Sequence, residues 1–279
     1  KFIKVTKNPE ESDKLVLYHP KEPGKILFRK PGSIIEKRFP VERLIGRNKQ
    51  IYDLFKILRG HHRFVQLVGK TGVGKTALAK QIANYLHARN YFKDKIAIIN
   101  MDKFYSLSSF LAELYNEEQY VNDLKGFCET MKSKDALFIL EKCDSFIETN
   151  QKELLAKLEQ IVQSTKYVKF IFILNQPLQV DIPMAKMEVG NLYPTDAAKL
   201  LLANTPMDKI PLRYRNFEEL KKCDLFEKYR LISPQMIWHI STSLINGQRF
   251  EKIQSQLLQN LKNIPEDNLA DLAIESTLK

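Results

Sequence analysis

Eight residues, "GKTGVGKT" from Gly69 to Thr76, hold three of the chain's ten glycines and end in a lysine and a threonine. The spacing is G-x-x-x-x-G-K-[ST], between the apolar run "FVQLV" and the helix-like "ALAKQIANYL". Polyphosphate is gripped by many backbone N–H groups at close range, and side chains obstruct that approach. Gly69, Gly72 and Gly74 therefore keep the loop through Lys70, Thr71 and Val73 open. A helix starting near Lys75 and continuing through Ala77 turns its unbonded N–H groups and positive dipole end on the same ligand. In this pattern Lys75 reaches the β- and γ-phosphates, and the Thr76 hydroxyl binds Mg²⁺. The expected cofactors are ATP or ADP, with Mg²⁺.

Such a loop needs an acid at the end of a neighbouring strand to hold the water shell of the metal. The run "ALFILEKCDSF" puts Glu141 there, as a candidate metal and catalytic carboxylate. Many sites of this kind carry a second acid directly after the first, where it polarises the attacking water. Here that position is Lys142, and the next acid, Asp144, is the other candidate catalytic carboxylate. A protonated lysine takes no proton from water.

The elements that position these residues are legible in the pattern. Short apolar runs at 64–68, 95–100, 136–140, 169–174 and 185–189 read as strands. Most are continuous rather than alternating, as in a parallel sheet covered by helices on both faces. Helical stretches are expected at 47–59, with Gly60 as its stop, at 75–89, 107–115, 119–131 and 152–164, then at 194–204, 216–229, 234–246 and 249–262. The fold class is thus α/β: a P-loop NTPase parallel sheet with flanking helices, followed by a small all-helical domain. Expected boundaries are 41–190 for the first and 191–279 for the second. Residues 1–40 hold Pro9, Pro20, Pro23, Pro31 and Pro40 and read as an extended basic arm or linker.

Composition narrows the partners. The net charge is +11, but residues 1–60 hold 15 Lys/Arg against 7 Asp/Glu, and the rest is nearly balanced. No continuous segment interleaves basic and aromatic residues as a stacking groove would, so nucleic acid is not the expected partner. No apolar run approaches the roughly 18 residues of a membrane span. Cys128, Cys143 and Cys223 form no C-x-x-C pair and read as reduced core thiols of a cytoplasmic protein. The chain opens at Lys1 and reads as a segment of something longer.

Several segments in order resemble the nucleotide-binding module of STAND proteins (signal-transduction ATPases with numerous domains), of the NB-ARC and AP-ATPase type. "RLIGRNKQIYDL" is similar to the family's V-G-R opening, and "GKTGVGKTALAK" to its phosphate loop. "ALFILEKCDSF" is similar to its acidic strand and "KFIFILNQP" to its sensor strand. "MEVGNLYPTDAAKLLL" and "LISPQMIWHISTSL" resemble its helical segments, the second starting with G-x-P in the family. The resemblance implies that Ile45, Gly46 and Arg47 enclose the adenine from one side and Pro234 from the other. It also puts Gln176 at the family's sensor arginine. The implied function is a nucleotide-gated switch or oligomerisation module of a larger protein, with weak or absent hydrolysis. Its partners would be other domains of the longer chain, protein partners or further copies of itself. Two alternatives stand beside it: a structural scaffold with a degenerate NTPase fold, and an AAA+-like ATPase acting on nucleic acid.

Overall fold

The computed structural model describes residues 44–116, 123–229 and 231–262; the expected arm at 1–40 lies outside them. The chain enters through α1 (Asn48–Arg59), β1 (Phe64–Val68) and α2 (Lys75–Ala88). It continues through β2 (Lys95–Asn100), α3 (Leu107–Asn116), α4 (Leu124–Met131), β3 (Ala136–Glu141) and α5 (Asp144–Ser164). Then come β4 (Lys169–Leu174) and β5 (Met184–Glu188), and after them only helices: α6 (Pro194–Asn204), α7 (Phe217–Leu220), α8 (Asp224–Lys228), α9 (Pro234–Ile245) and α10 (Phe250–Lys262).

The five strands form one sheet in the order β2-β3-β4-β1-β5, every pairing parallel. The strand carrying the phosphate loop is therefore central, and all five strands end on one edge. Alternation along each strand divides the core into two layers. Phe64, Phe138, Phe170 and Phe172 face α3, α4 and α5, whereas Val65, Leu67, Ile139, Ile171 and Ile173 face α1 and α2. The ring stacks Phe64–Phe170 and Phe138–Phe170, at 5.8 and 5.4 Å between centroids, run across the first layer. Each such side chain, fully buried, contributes roughly 1.5–3 kcal/mol. The helices after β5 enclose a core of their own around Leu201, Leu220, Phe226, Ile237 and Phe250. An antiparallel bridge between Leu192 and Ile232 pins their entry.

Three helices differ from expectation. The helix expected from 152 begins at Asp144. Its first turns carry Thr149 and Asn150, weak helix formers, but bury Phe146 and Ile147 against the sheet; tertiary packing outweighs propensity. The single helix expected over 216–229 is two short ones, α7 and α8, interrupted at Lys221–Cys223. Asn216 caps α7 by accepting from the Glu218 N–H, and Cys223 starts α8 from an extended conformation. The helix expected over 119–131 is α4, capped by Asp123 accepting from the Gly126 N–H at 2.7 Å; residues 117–122 lie outside the described structure.

Candidate nucleotide-binding site

The loop leaves β1 at Gly69 and enters α2 at Lys75. Gly72 and Gly74 take φ of 82° and 92°, a left-handed geometry that side-chained residues rarely adopt. Gly69 serves differently from the open backbone expected of it. A Cβ there would collide with the Val189 carbonyl, so this glycine lets β1 and the exit of β5 approach. Lys75, Thr76 and Ala77 form the first turn of α2, whose N–H groups have no acceptor within the helix.

Lys75 is drawn into the loop. Its Nζ donates to the Gly69 carbonyl at 2.5 Å, the Lys70 carbonyl at 2.9 Å and Asn175 Oδ1 at 3.0 Å. Burial lowers the ammonium's pKa, and the negative charge of Asp144 partly offsets that. Asn175 Oδ1 also accepts from the Thr71 hydroxyl at 3.3 Å, and the Asn175 N–H donates to Asp144 Oδ1 at 2.7 Å. A relay Asp144–Asn175–Lys75 thus joins α5, the end of β4 and the phosphate loop.

Asn175, like Gln235 and Trp238, belongs to the candidate site without being singled out by the sequence. The resemblance placed the sensor position at Gln176, but the side chain that meets the loop belongs to the residue before it. β4 ends at Leu174, and Asn175 is the first residue beyond it. Gln176 is exposed and is not part of the cleft lining.

A cleft of about 740 Å³ opens over the loop. Thr71, Gly72, Gly74, Lys75 and Thr76 form its floor, Asp102, Lys142, Asp144 and Glu148 one wall, and Pro234, Gln235 and Trp238 the other. Glu141 ends β3 and is half-buried. It follows Leu137 and Ile139 in alternation, hence on the α2 side of the sheet, but it does not line this cleft. Asp144 does. Lys142 stands at φ 56° and pairs with Asp102 at 3.1 Å, both partly exposed.

The opening segment lies outside this cleft. None of Ile45, Gly46 and Arg47 lines the cleft. Ile45 packs against the helical core, and Gly46 lies against the Asp196 side chain. Arg47 is only 2% exposed, and one guanidinium nitrogen donates to the carbonyls of Val73 at 2.8 Å and Gly190 at 2.6 Å. Burial lowers its pKa and Asp196 pushes it back up. A guanidinium so committed braces the loop from behind. Pro234 lines the cleft, with its Cγ facing Gly74. The next residue goes further: the Gln235 N–H donates to the Gly72 carbonyl at 3.2 Å, and its side chain fills the space a Cβ on Gly72 would need.

These residues fit a Mg²⁺–nucleoside polyphosphate. The floor combines an ammonium, a hydroxyl and first-turn N–H groups, with carboxylates on one wall. Among the described residues no cluster of His, Cys, Asp and Glu forms a metal site of its own, and no helix is long and apolar enough to cross a membrane.

Comparison with known proteins agrees with this architecture. Residues 65–190 match the family model "ATPase family associated with various cellular activities (AAA)". No curated protein sequence matches the chain. Among solved structures, the Aeropyrum pernix ORC1 protein in complex with DNA is similar over 80% of this chain and 70% of its own, with TM-score 0.52 and 13% identity. The Walker-type ATPase PABY2304 of Pyrococcus abyssi is similar over 79% of this chain and 74% of its own, with TM-score 0.51 and 12% identity. At such identities the likeness is one of fold. The α/β part thus has a P-loop NTPase-like fold that matches an AAA ATPase model, and a helical part follows it.

Proposed function

We propose that this chain is an ATP- or ADP-binding module in which the nucleotide sets how the helical part (191–279) sits on the α/β part (41–190), with turnover negligible. One observation carries the reading: the helical part touches the phosphate loop itself, through the Gln235 N–H on the Gly72 carbonyl. Any ligand that reshapes Gly72 must act on the first turn of α9, and reciprocally. Arg47 supports the same coupling, since its guanidinium holds both Val73 in the loop and Gly190 in the connection between the parts.

Lys75 and the first-turn N–H groups of α2 bind the phosphates, and Thr76 holds the metal ion, with Glu141 or Asp144 as its outer carboxylate. Bound Mg²⁺ supplies neutralisation of phosphate charge. Asn175 holds Lys75 and Asp144 in register. Lys142, paired with Asp102, occupies the position where a water-polarising acid belongs, so the geometry favours holding nucleotide over cleaving it. This matches the STAND-type switch that the motifs resemble, inside an AAA-like fold.

Hydrogen exchange of the full chain with ATP, ADP or neither tests the switch. Exchange in residues 233–241 should differ between the three states. Tight nucleotide binding with identical exchange there would instead favour a scaffold in which nucleotide is a static ligand.

A further inference from the structure

The sheet has a second edge, where the strands start, and the fold gathers there charges that the sequence scatters. The connection 59–63 brings Arg59 and Arg63, and 89–95 brings Arg89, Lys93 and Lys95 against Asp94. The connection 132–135 brings Lys132 and Lys134 against Asp135, and 165–169 brings Lys166 and Lys169. Because all pairings are parallel, these four connections share one end of the molecule, opposite the nucleotide cleft.

The connections are bonded into one surface. Arg63 donates to the carbonyls of Thr165, Lys166 and Val168, and Lys169 Nζ to those of Leu58 and Gly60. The Lys166 N–H donates to the Lys132 carbonyl at 3.1 Å. Both acids are engaged by backbone N–H groups: Asp135 accepts from the Phe92 N–H and Asp94 from the Asp135 N–H. What remains outward is positive, with Arg59, Lys93, Lys132 and Lys166 exposed. Beside Arg59 and Lys166 lies a concave cleft of about 540 Å³, lined by these two with His61, Tyr91, Tyr167 and a single acid, Asp135, among others. Arg59 lies over the Tyr91 ring at 4.6 Å and Lys166 over Tyr167 at 5.1 Å; Tyr167 itself is 43% exposed.

We propose that this strand-start edge docks single-stranded nucleic acid, its lysines and arginines on the phosphates and Tyr167 under a base. Charge of one sign follows a backbone, and a cation beside an exposed ring is what an unpaired base stacks on. Concavity favours a strand over a bilayer, which is flat and asks for exposed apolar anchors; Tyr167 is the one large exposed apolar side chain lining the cleft. The site is separate from the nucleotide cleft and stands whether or not the switch does.

The test is fluorescence anisotropy of the full 279-residue chain with a labelled single-stranded DNA of mixed sequence, across a salt series. Arg59→Glu/Lys132→Glu/Lys166→Glu is compared with Lys152→Glu/Lys199→Glu/Lys252→Glu, the same charge change at exposed helix positions elsewhere. The edge variant should bind at least about tenfold more weakly, with its salt slope shallower by about 2. The control should stay within about twofold of wild type, and ATP affinity should be unchanged in both. Equal losses in the two variants, no binding by wild type at low salt, or tighter binding to vesicles of phosphatidylserine and phosphatidylcholine would each overturn the proposal. Tyr167→Ala keeps all charges and should still weaken binding several-fold; an unchanged Kd there would also count against it.

Discussion

Arg47 and Val73 lie 26 residues apart, yet a guanidinium nitrogen of the first donates to the carbonyl of the second at 2.8 Å, and the same nitrogen reaches Gly190 at 2.6 Å. A lysine ammonium can donate to two carbonyls, as Lys169 does, but its nitrogen ends one bond short of the arginine Nη and so does not reach both Val73 and Gly190 from the same backbone position. Arg47→Lys should therefore lower unfolding free energy by about 1–3 kcal/mol, since a buried carbonyl loses its partner. Urea unfolding measures this. Because Val73 belongs to the phosphate loop, calorimetry should also show weaker ATP binding. A variant as stable as wild type would mean that the brace is dispensable.

Lys75 offers a separate test of the loop. Its ammonium is held by two loop carbonyls and Asn175, so it is poised at the phosphate-binding face. Lys75→Ala should weaken ATP and ADP binding roughly ten- to hundredfold, the span of a lost charge-assisted hydrogen bond. Circular dichroism should show an intact fold. Unchanged affinity in a folded variant would remove the nucleotide from this cleft altogether.

Trp238 is the chain's sole tryptophan; it is 48% exposed and lines the cleft beside Pro234 and Gln235. Its emission therefore reports on one place. Adding ATP should change its intensity saturably, with the same Kd that calorimetry gives, and Lys75→Ala should lose that response. A nucleotide that binds without altering the emission would have to sit away from α9, against the coupling through Gly72.

The parts of this architecture visible in sequence are those encoded locally. Continuous apolar runs mark β1 to β4 because both faces of each strand are covered, and the loop's glycines and Lys75 lie within eight consecutive residues. What stayed hidden depends on distance or on single-residue placement. The resemblance takes Gln176 rather than Asn175 because apolar pattern fixes a strand's identity better than its last residue. The resemblance puts Arg47 beside the adenine; its bonds to Val73 and Gly190 span 26 and 143 residues, beyond any local pattern. The basic edge is spread over four connections with local acids among them. Only the folded register shows Asp94 and Asp135 turned towards backbone N–H groups and the cations left facing out.

Lys169 carries a pH dependence. Its ammonium sits on the carbonyls that end α1, and burial, with Arg63 and Arg59 nearby, lowers its pKa to about 8 despite Asp135. In the unfolded chain a lysine titrates near 10.4. Below about pH 8 both states carry the proton and the contribution is flat. Above it the folded state gives up its proton first, so the unfolded state binds more, and stability rises with pH. Urea midpoints measured between about pH 7 and pH 9.5 should show a rise that Lys169→Met lacks. A rise of the same size in the variant would assign it to other groups.

The last prediction concerns turnover. Binding a Mg²⁺–nucleotide needs position and neutralised charge, which the loop, Thr76 and the carboxylates provide. Hydrolysis also needs a group that accepts a proton from water, and Lys142 holds the place where one is expected. It pairs with Asp102 at 3.1 Å and stands at φ 56°, in the left-handed region. Aspartate tolerates that region better than most residues, so Lys142→Asp suits the backbone as it stands. Removing a transition-state-stabilising group commonly costs on the order of a hundredfold or more. Supplying the missing carboxylate should raise the rate at least about tenfold above a wild-type kcat well below roughly 1 s⁻¹. Steady-state phosphate release measures both. Asp144 is the competing candidate, for it lines the cleft; one of its oxygens, however, already accepts from the Asn175 N–H at 2.7 Å. A wild-type kcat near 1 s⁻¹ that disappears in Asp144→Asn would show that Asp144 polarises the water, and the module would then be a working ATPase rather than a nucleotide-holding switch.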